Sequence, residues 1–229
     1  MTSLYTRVAA IAVAAVAGSL IFLDGSSIPV YTPMIVAQIN DASRAGPVVV
    51  GIGDSILEGH GLDQGQSWLA VLASQYGWRL TNLASDGSGF VTVGDNGDTF
   101  ADQVRAAERL HPDIIVISGS SNDLGSDGAS IRDATFATVE SIHSALPSTR
   151  IIAVSAVWGD TAVPAQLSDI TSAVANAVTA VGGTYLDIGQ PLSGQPALMQ
   201  PDDDHPTVTG QLAIASAVAA ALLSAHVKV

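Results

Sequence analysis

The sequence predicts an α/β fold built on a parallel sheet with helices on both faces, and three observations carry that prediction. Short apolar runs alternate with longer helical patterns along residues 47–229. The runs at Val48–Ile52, Ile114–Ser118 and Ile151–Val157 are almost continuously apolar, as strands covered on both faces must be. The residues able to do chemistry fall directly after predicted strands, the edge where such sheets bind ligands.

Taken in order, Val48–Ile52 is the first strand and a helical pattern covers residues 65–76. Leu80–Ala84 is a shorter strand candidate, followed by a helix over 99–110 with Asp98 as its N-cap. Ile114–Ser118 is the third strand, and a helix over 129–146 follows with Ser130 as cap. Ile151–Val157 is the fourth strand, and a helix over 165–181 stops at Gly182-Gly183. Thr184–Ile188 is the fifth strand. Thr207 or Thr209 opens a last helix that runs to residue 225.

The composition sets further bounds. The chain has 229 residues, 8 Lys+Arg, 21 Asp+Glu and no Cys, for a net charge of −13. That length suits one domain with a short appendage. All of the acid excess lies within residues 47–229. It argues against a nucleic-acid partner, which needs clustered Lys/Arg. The missing Cys removes disulfides, thiol nucleophiles and Cys-ligated zinc. Residues 8–23 contain no charge and no polar face, with Arg7 before them and Asp24 after. The segment 1–24 therefore reads as an export signal peptide or signal anchor, able to hold the protein at a membrane. Residues 25–46, with Pro29, Pro33 and Gly46, read as a linker to the folded domain at 47–229.

The loops after the strands hold Gly53-Asp54-Ser55-Ile56, Asn82 to Gly89, Ser118 to Asp123, and Asp202-Asp203-Asp204-His205. A serine hydroxyl needs a general base within hydrogen-bond reach, and the base needs a group to orient it. Ser55, His205 and Asp202 can fill those roles. The Asp202-x-x-His205 spacing lets one turn of chain present the carboxylate to Nδ1, leaving Nε2 to take the Ser55 proton. An ester carbonyl under attack becomes an oxyanion, and donors aimed at it are usually the largest catalytic contribution. The Ser55 N–H, the Gly87 N–H and the Asn122 side-chain amide are the available donors. This chemistry requires no cofactor and no metal.

At these residues the chain resembles the SGNH hydrolases, the GDSL family of esterases and lipases. The Ser block matches Gly53-Asp54-Ser55-Ile56, with Ile where Leu is usual. The Gly block matches Asn82 to Gly89, with Gly87 as donor. The Asn block, usually G-x-N-D, is here Ser120-Ser121-Asn122-Asp123, with Gly119 one place early. The D-x-x-H block matches Asp202 to His205. The resemblance covers residues 47–225 and implies a flavodoxin-like three-layer α/β/α sandwich with a five-stranded parallel sheet. It implies a serine esterase with Ser55, Asp202 and His205 as catalytic residues and Ser55, Gly87 and Asn122 as the oxyanion hole. On the family spacing, Asp202 orients the imidazole rather than Asp203 or Asp204. The Ala/Val-rich, Lys-poor sequence after an export segment also resembles exported actinobacterial members.

The remaining candidates read as structural. Asp54 and Asp123 suit hydrogen bonds to loop backbone near the site. His60, His111, His143 and His226 have no partners in sequence and read as solvated or satisfied. Neither the acidic turn at 202–204 nor Asp95-Asn96-Gly97-Asp98 has the spacing of a calcium loop. Trp68 and Trp78 read as core, and Trp158 as core or cleft wall. An acyltransferase with the same triad is the rival enzyme, and a non-catalytic surface binding domain the rival class. A nucleotide-binding module fails, because the third glycine of G-x-G-x-x-G falls on Ile56. Specificity would come from loops 57–67, 90–98, 124–129 and 158–166, of which 90–98 and 124–129 read as mobile. Short loops and few aromatics point to a shallow cleft and a small acyl group, on a lipid or an acetylated glycan.

Overall fold

The structure, a computed structural model, describes residues 46–228. The segment read as an export signal or anchor, and all but the last residue of the stretch read as a linker, lie outside the described residues. Among the described residues, no helix is long and apolar enough to cross a membrane.

Five strands form one parallel sheet: β1 (Val48–Ile52), β2 (Arg79–Asn82), β3 (Ile114–Ser118), β4 (Arg150–Val154) and β5 (Thr184–Leu186). Their order is β2-β1-β3-β4-β5, so the sheet grows first to one side of β1 and then to the other. The crevice between β1 and β3 at their carboxyl ends is the topological switch point, where open α/β sheets place their ligands. Among the described residues, five α-helices lie between strands, α1 (Ser55–Glu58), α2 (Trp68–Tyr76), α3 (Phe100–Glu108), α4 (Gly128–Ala145) and α5 (Ala165–Ala180), and α6 (Val208–Ser224) follows β5.

The strand side chains alternate between two buried layers, as the period of two requires. Val49, Ile114, Val116, Ile152 and Val154 face one layer, with Trp68, Leu69 and Leu72 of α2 and Ile214, Val218 and Leu222 of α6. Val50, Ile52, Ile115, Ile117 and Ala153 face the other, with α3, α4 and α5. Trp68 and Trp78 are core residues, and Trp158 packs at the edge of a third cluster with Ile131, Leu167 and Ile170.

Several element boundaries depart from the sequence reading. The cap of α3 is Thr99, not Asp98, and Asp102 closes back onto the Thr99 N–H at 2.9 Å. The cap of α4 is Asp127, not Ser130; Ser130 is the third helical residue, and its N–H donates to the Asp127 carboxylate. Gly128 hides this start, because glycine in the first helical position reads as a break. β4 leaves its ladder at Val154 although the chain stays buried to Val157. Side-chain bonds from Gln190 to the Ala156 carbonyl and the Trp158 N–H replace the ladder there. β2 and β5 are likewise shorter than their apolar runs.

Candidate active site

Every loop singled out for chemistry lies at the carboxyl edge of the sheet. Directly after β1, Asp54 caps the short helix α1, its side chain accepting from the Ile56 N–H at 3.0 Å. The carboxyl is fully buried, and burial pushes its pKa up to about 6 against the opposing hydrogen bonds from Ile56, Leu57 and Ser120. Ser55 is the first residue of α1 and is 8 % exposed. The helix ends after one turn at Gly59, whose φ of 91° suits a residue without Cβ.

The loops after β2 and β3 are bound to each other and to the Ser55 segment by buried side chains. Gln103 on α3 is the hub. Its carbonyl oxygen accepts from the Gly53 N–H at 2.9 Å, while its amide donates to the Gly53 carbonyl and the Ser88 hydroxyl, both at 3.0 Å. Ser120 Oγ and Asn122 Nδ2 both donate to the Ser88 carbonyl, at 3.0 and 2.9 Å. The Asn122 amide carries two hydrogens. One is thus engaged, and the other has no acceptor among the described residues. Asp123, fully buried, accepts from the N–H groups of Phe90, Val91 and Thr92 at 2.8–3.1 Å. Its oxygen would lie only 2.3 Å from a Cβ at position 89, so that loop needs glycine there.

Gly87 sits at φ 71°, outside the comfortable range of other residues. Among the hydrogen bonds of the described residues, neither the Ser55 nor the Gly87 N–H donates to a protein acceptor. The following loop, residues 90–98, is hydrogen-bonded within itself and to residues 85–86. Asp95 N–H donates to the Asp86 carbonyl at 2.9 Å, Gly94 N–H to Asp98 at 2.8 Å, and Asn96 Nδ2 to Ser85 Oγ at 3.1 Å.

Asp202 and His205 stand on a turn before α6. Asp202 Oδ2 lies 2.9 Å from His205 Nδ1, and Oδ1 accepts from the N–H groups of Asp204 and His205 at 3.1 and 3.0 Å. The hydrogen bond from the His205 ring, then those from the backbone, hold the Asp202 carboxyl well below the usual carboxylate range. Asp203 and Asp204 make no such contact to the ring among the described hydrogen bonds; Asp203 takes a left-handed φ of 59° to turn the chain. A bridge between Met199 and Pro206 closes the turn, with Gln200 N–H donating to the His205 carbonyl at 2.7 Å. Gln211 of α6 donates to the Ile56 carbonyl at 3.0 Å and accepts from the Trp68 N–H at 2.8 Å. The helix that follows the His205 turn is thereby tied to the helix that begins with Ser55. A Ser55–His205 hydrogen bond is not among those of the described residues; such contacts often tighten only with substrate bound.

One residue of this site has no signal in the sequence reading. His60, taken there as unpartnered, stacks on His205 with ring centroids 4.1 Å apart and planes 26° apart, and its Nδ1 lies 2.5 Å from Asp86. The pairing is non-local, 26 residues to Asp86 and further to His205, so no spacing rule could find it. His60, Asp202 and His205 have donor atoms within 4.8 Å of one another. The rings lie face to face, however, so their in-plane lone pairs run side by side rather than converging on one centre. The group is built for hydrogen bonding and stacking rather than for holding a cation.

A model of the GDSL-like lipase/acylhydrolase family matches residues 52–213. No curated protein matches the chain. Among solved structures, the chain is similar to a psychrotrophic esterase from Pseudoalteromonas sp., with 19 % identity, a TM-score of 0.63, and 78 % of this chain and 97 % of that one covered. A family two carbohydrate esterase from Cellvibrio japonicus shows 16 % identity and a TM-score of 0.63, covering 79 % and 62 % of the two chains. A salicylyl-acyltransferase from a tetracycline biosynthetic pathway shows 21 % identity and a TM-score of 0.61, covering 81 % and 56 %.

Proposed function

The chain belongs to the GDSL-like lipase/acylhydrolase family and is an ester hydrolase, and we propose that it works through an acyl-enzyme on Ser55. The observation that carries this reading is the Asp202–His205 contact at 2.9 Å, on a turn tethered through α6 to the helix that Ser55 begins. The carboxylate holds the hydrogen on Nδ1 and leaves Nε2 as the base. Ser55 Oγ attacks the ester carbonyl, and its proton passes to His205 Nε2. The oxyanion is met by the Ser55 and Gly87 N–H groups and by the free hydrogen of the Asn122 amide. His205 then protonates the departing alcohol. Water repeats the sequence on the acyl-enzyme and restores Ser55.

The proposed substrates are neutral esters of short acyl groups, on a lipid or an acetylated glycan. The likeness to a carbohydrate esterase supports the glycan version. Carboxylates at Asp86, Asp202, Asp203 and Asp204 around the base disfavour anionic esters. Transfer of the acyl group to an alcohol uses the same intermediate, and the likeness to an acyltransferase keeps that reading open to a product assay with a competing sugar acceptor. Residues 8–23, on their sequence alone, support export, to a secreted state or to the outer face of the cytoplasmic membrane.

Hydrolysis of a short-chain aryl ester tests the core of the proposal. Ser55→Ala is expected to lower kcat by at least about 10⁴-fold, and a serine-reactive phosphonate to add one mass adduct to the native chain and none to the variant. Equal turnover by the two proteins would overturn it. A series from acetyl to long-chain esters is expected to fall with length.

A further inference from the structure

A second Asp–His pair stands face to face with the first. Asp86 holds His60 by Nδ1 at 2.5 Å, as Asp202 holds His205 at 2.9 Å, and the two rings stack at 4.1 Å. Both imidazoles therefore keep a hydrogen on Nδ1 and leave Nε2 as the open ring nitrogen. The His60 backbone is fixed at each end, its N–H donating to the Ser55 carbonyl at 3.0 Å and its carbonyl accepting from Gln200 at 2.8 Å. The charged and titratable groups that face His60 are Asp86 from the loop after β2, Glu58 from α1, and Asp202 and His205 from the turn before α6. Desolvation and the neighbouring Asp86 push the Glu58 pKa up to about 7.

Two stacked imidazoles cannot both become cations independently; a proton on one disfavours a proton on the other. The surroundings decide which ring takes the first. Each ring has its own carboxylate, but the His60 side chain is 41 % exposed, whereas that of His205 is 15 % exposed. Water and a near carboxylate favour the cation, and burial opposes it.

Resting on the assignment of His205 as the general base, we propose that His60 is a positioning residue that sets the proton affinity of His205. While His60 is neutral, its ring face buttresses His205, and the Ser55 proton moves freely to Nε2. Once His60 is protonated, its charge opposes the imidazolium that His205 must form during attack. Acylation then slows at a pH above that at which His205 itself would be lost as a base. The proton on His60 is not consumed; it only penalises the transfer beside it.

His60→Phe keeps a stacked ring and removes the charge. The measurement is kcat/KM for an uncharged acetate ester across the acid limb, each protein scaled to its own plateau. The native enzyme is expected to lose activity in two steps. His60→Phe is expected to lose it in one, with half-maximal activity displaced to lower pH by about one unit, a roughly tenfold change in proton affinity. His60→Ala is expected to show the same single step and also to lose plateau kcat about tenfold at nearly constant KM, a loss that Phe restores. An acid limb that is unmoved or displaced to higher pH in His60→Phe overturns the proposal. Imidazole NMR titration of the native protein gives a check without variants. Coupled curves with His60 protonating first support the proposal, and two independent single-site curves overturn it. His205→Ala is assayed alongside. If it keeps its turnover, the base assignment falls and this proposal with it; if it is dead while His60→Phe titrates like the native enzyme, this proposal falls alone.

Discussion

Around Ser55, Gly87 and Asn122 the loops are locked by side chains that solvent barely reaches, whereas the Asp202–His205 turn is partly exposed. Gln103, Ser88, Ser120 and Asp123 are each no more than 3 % exposed, and together they fix the backbone after β1, β2 and β3. The Asp202 side chain is 42 % exposed, and its turn holds by the Met199–Pro206 bridge, by Gln200 and by the stack on His60. The difference fits the proposed roles of the two sides. Oxyanion donors work by standing still before charge develops. A base must gain and lose a charge twice in each turnover, and a partly hydrated ring beside a carboxylate does so at lower cost.

If the two regions differ in this way, activity and stability should separate along the same line. Asp202→Asn is expected to lower kcat by on the order of 10⁴-fold while moving the melting temperature by no more than about 2 °C, because the exposed turn contributes little to folding. A large drop in melting temperature would break the contrast. Asp123→Ala should do the reverse: it strands one buried and two part-buried N–H groups and is expected to cost about 3 kcal/mol of unfolding free energy, measured by urea titration. A variant as stable as the native chain would show that the buried network is not what holds these loops.

The smallest effect sharpens the contrast through pH. The folded Asp54 carboxyl has its pKa raised to about 6, above the unfolded value near 3.8. Its contribution to stability is therefore fully present below about pH 4 and is lost as pH rises through about 6. Relative to Asp54→Asn, the native protein should lose on the order of 2 kcal/mol between pH 4 and pH 7. The measurement is the difference in unfolding free energy at each pH, and a flat difference would sink the prediction.

Much of this was legible in the sequence, and the reasons are local. β1 and β3 match their apolar runs residue for residue, because strands buried on both faces leave no ambiguity. The Asp202–His205 contact was legible because it spans three residues of one turn. Asp54 and Asp123 were rightly read as ligands of loop backbone. What escaped was non-local or masked by composition. Gln103 looks like any polar helical residue, and only the sheet brings it against Gly53, 50 residues away. His60 and Asp86 lie in different loops whose approach depends on the β2-β1-β3 order. The cap of α4 was missed because Asp127 precedes a glycine.

The pairing of α2 with α6 reaches beyond the resting molecule. One half of the core is closed by Trp68, Leu69 and Leu72 from near the start of the domain and by Ile214, Val218 and Leu222 from its end. The His205 turn arrives in the same final stretch, and Gln211 joins it to α1 and α2. For a chain made from its amino end, sealing that half-core and delivering the imidazole are one event. A chain stopped or clipped anywhere before residue 205 would carry the serine without its partner, on a domain whose last wall is missing.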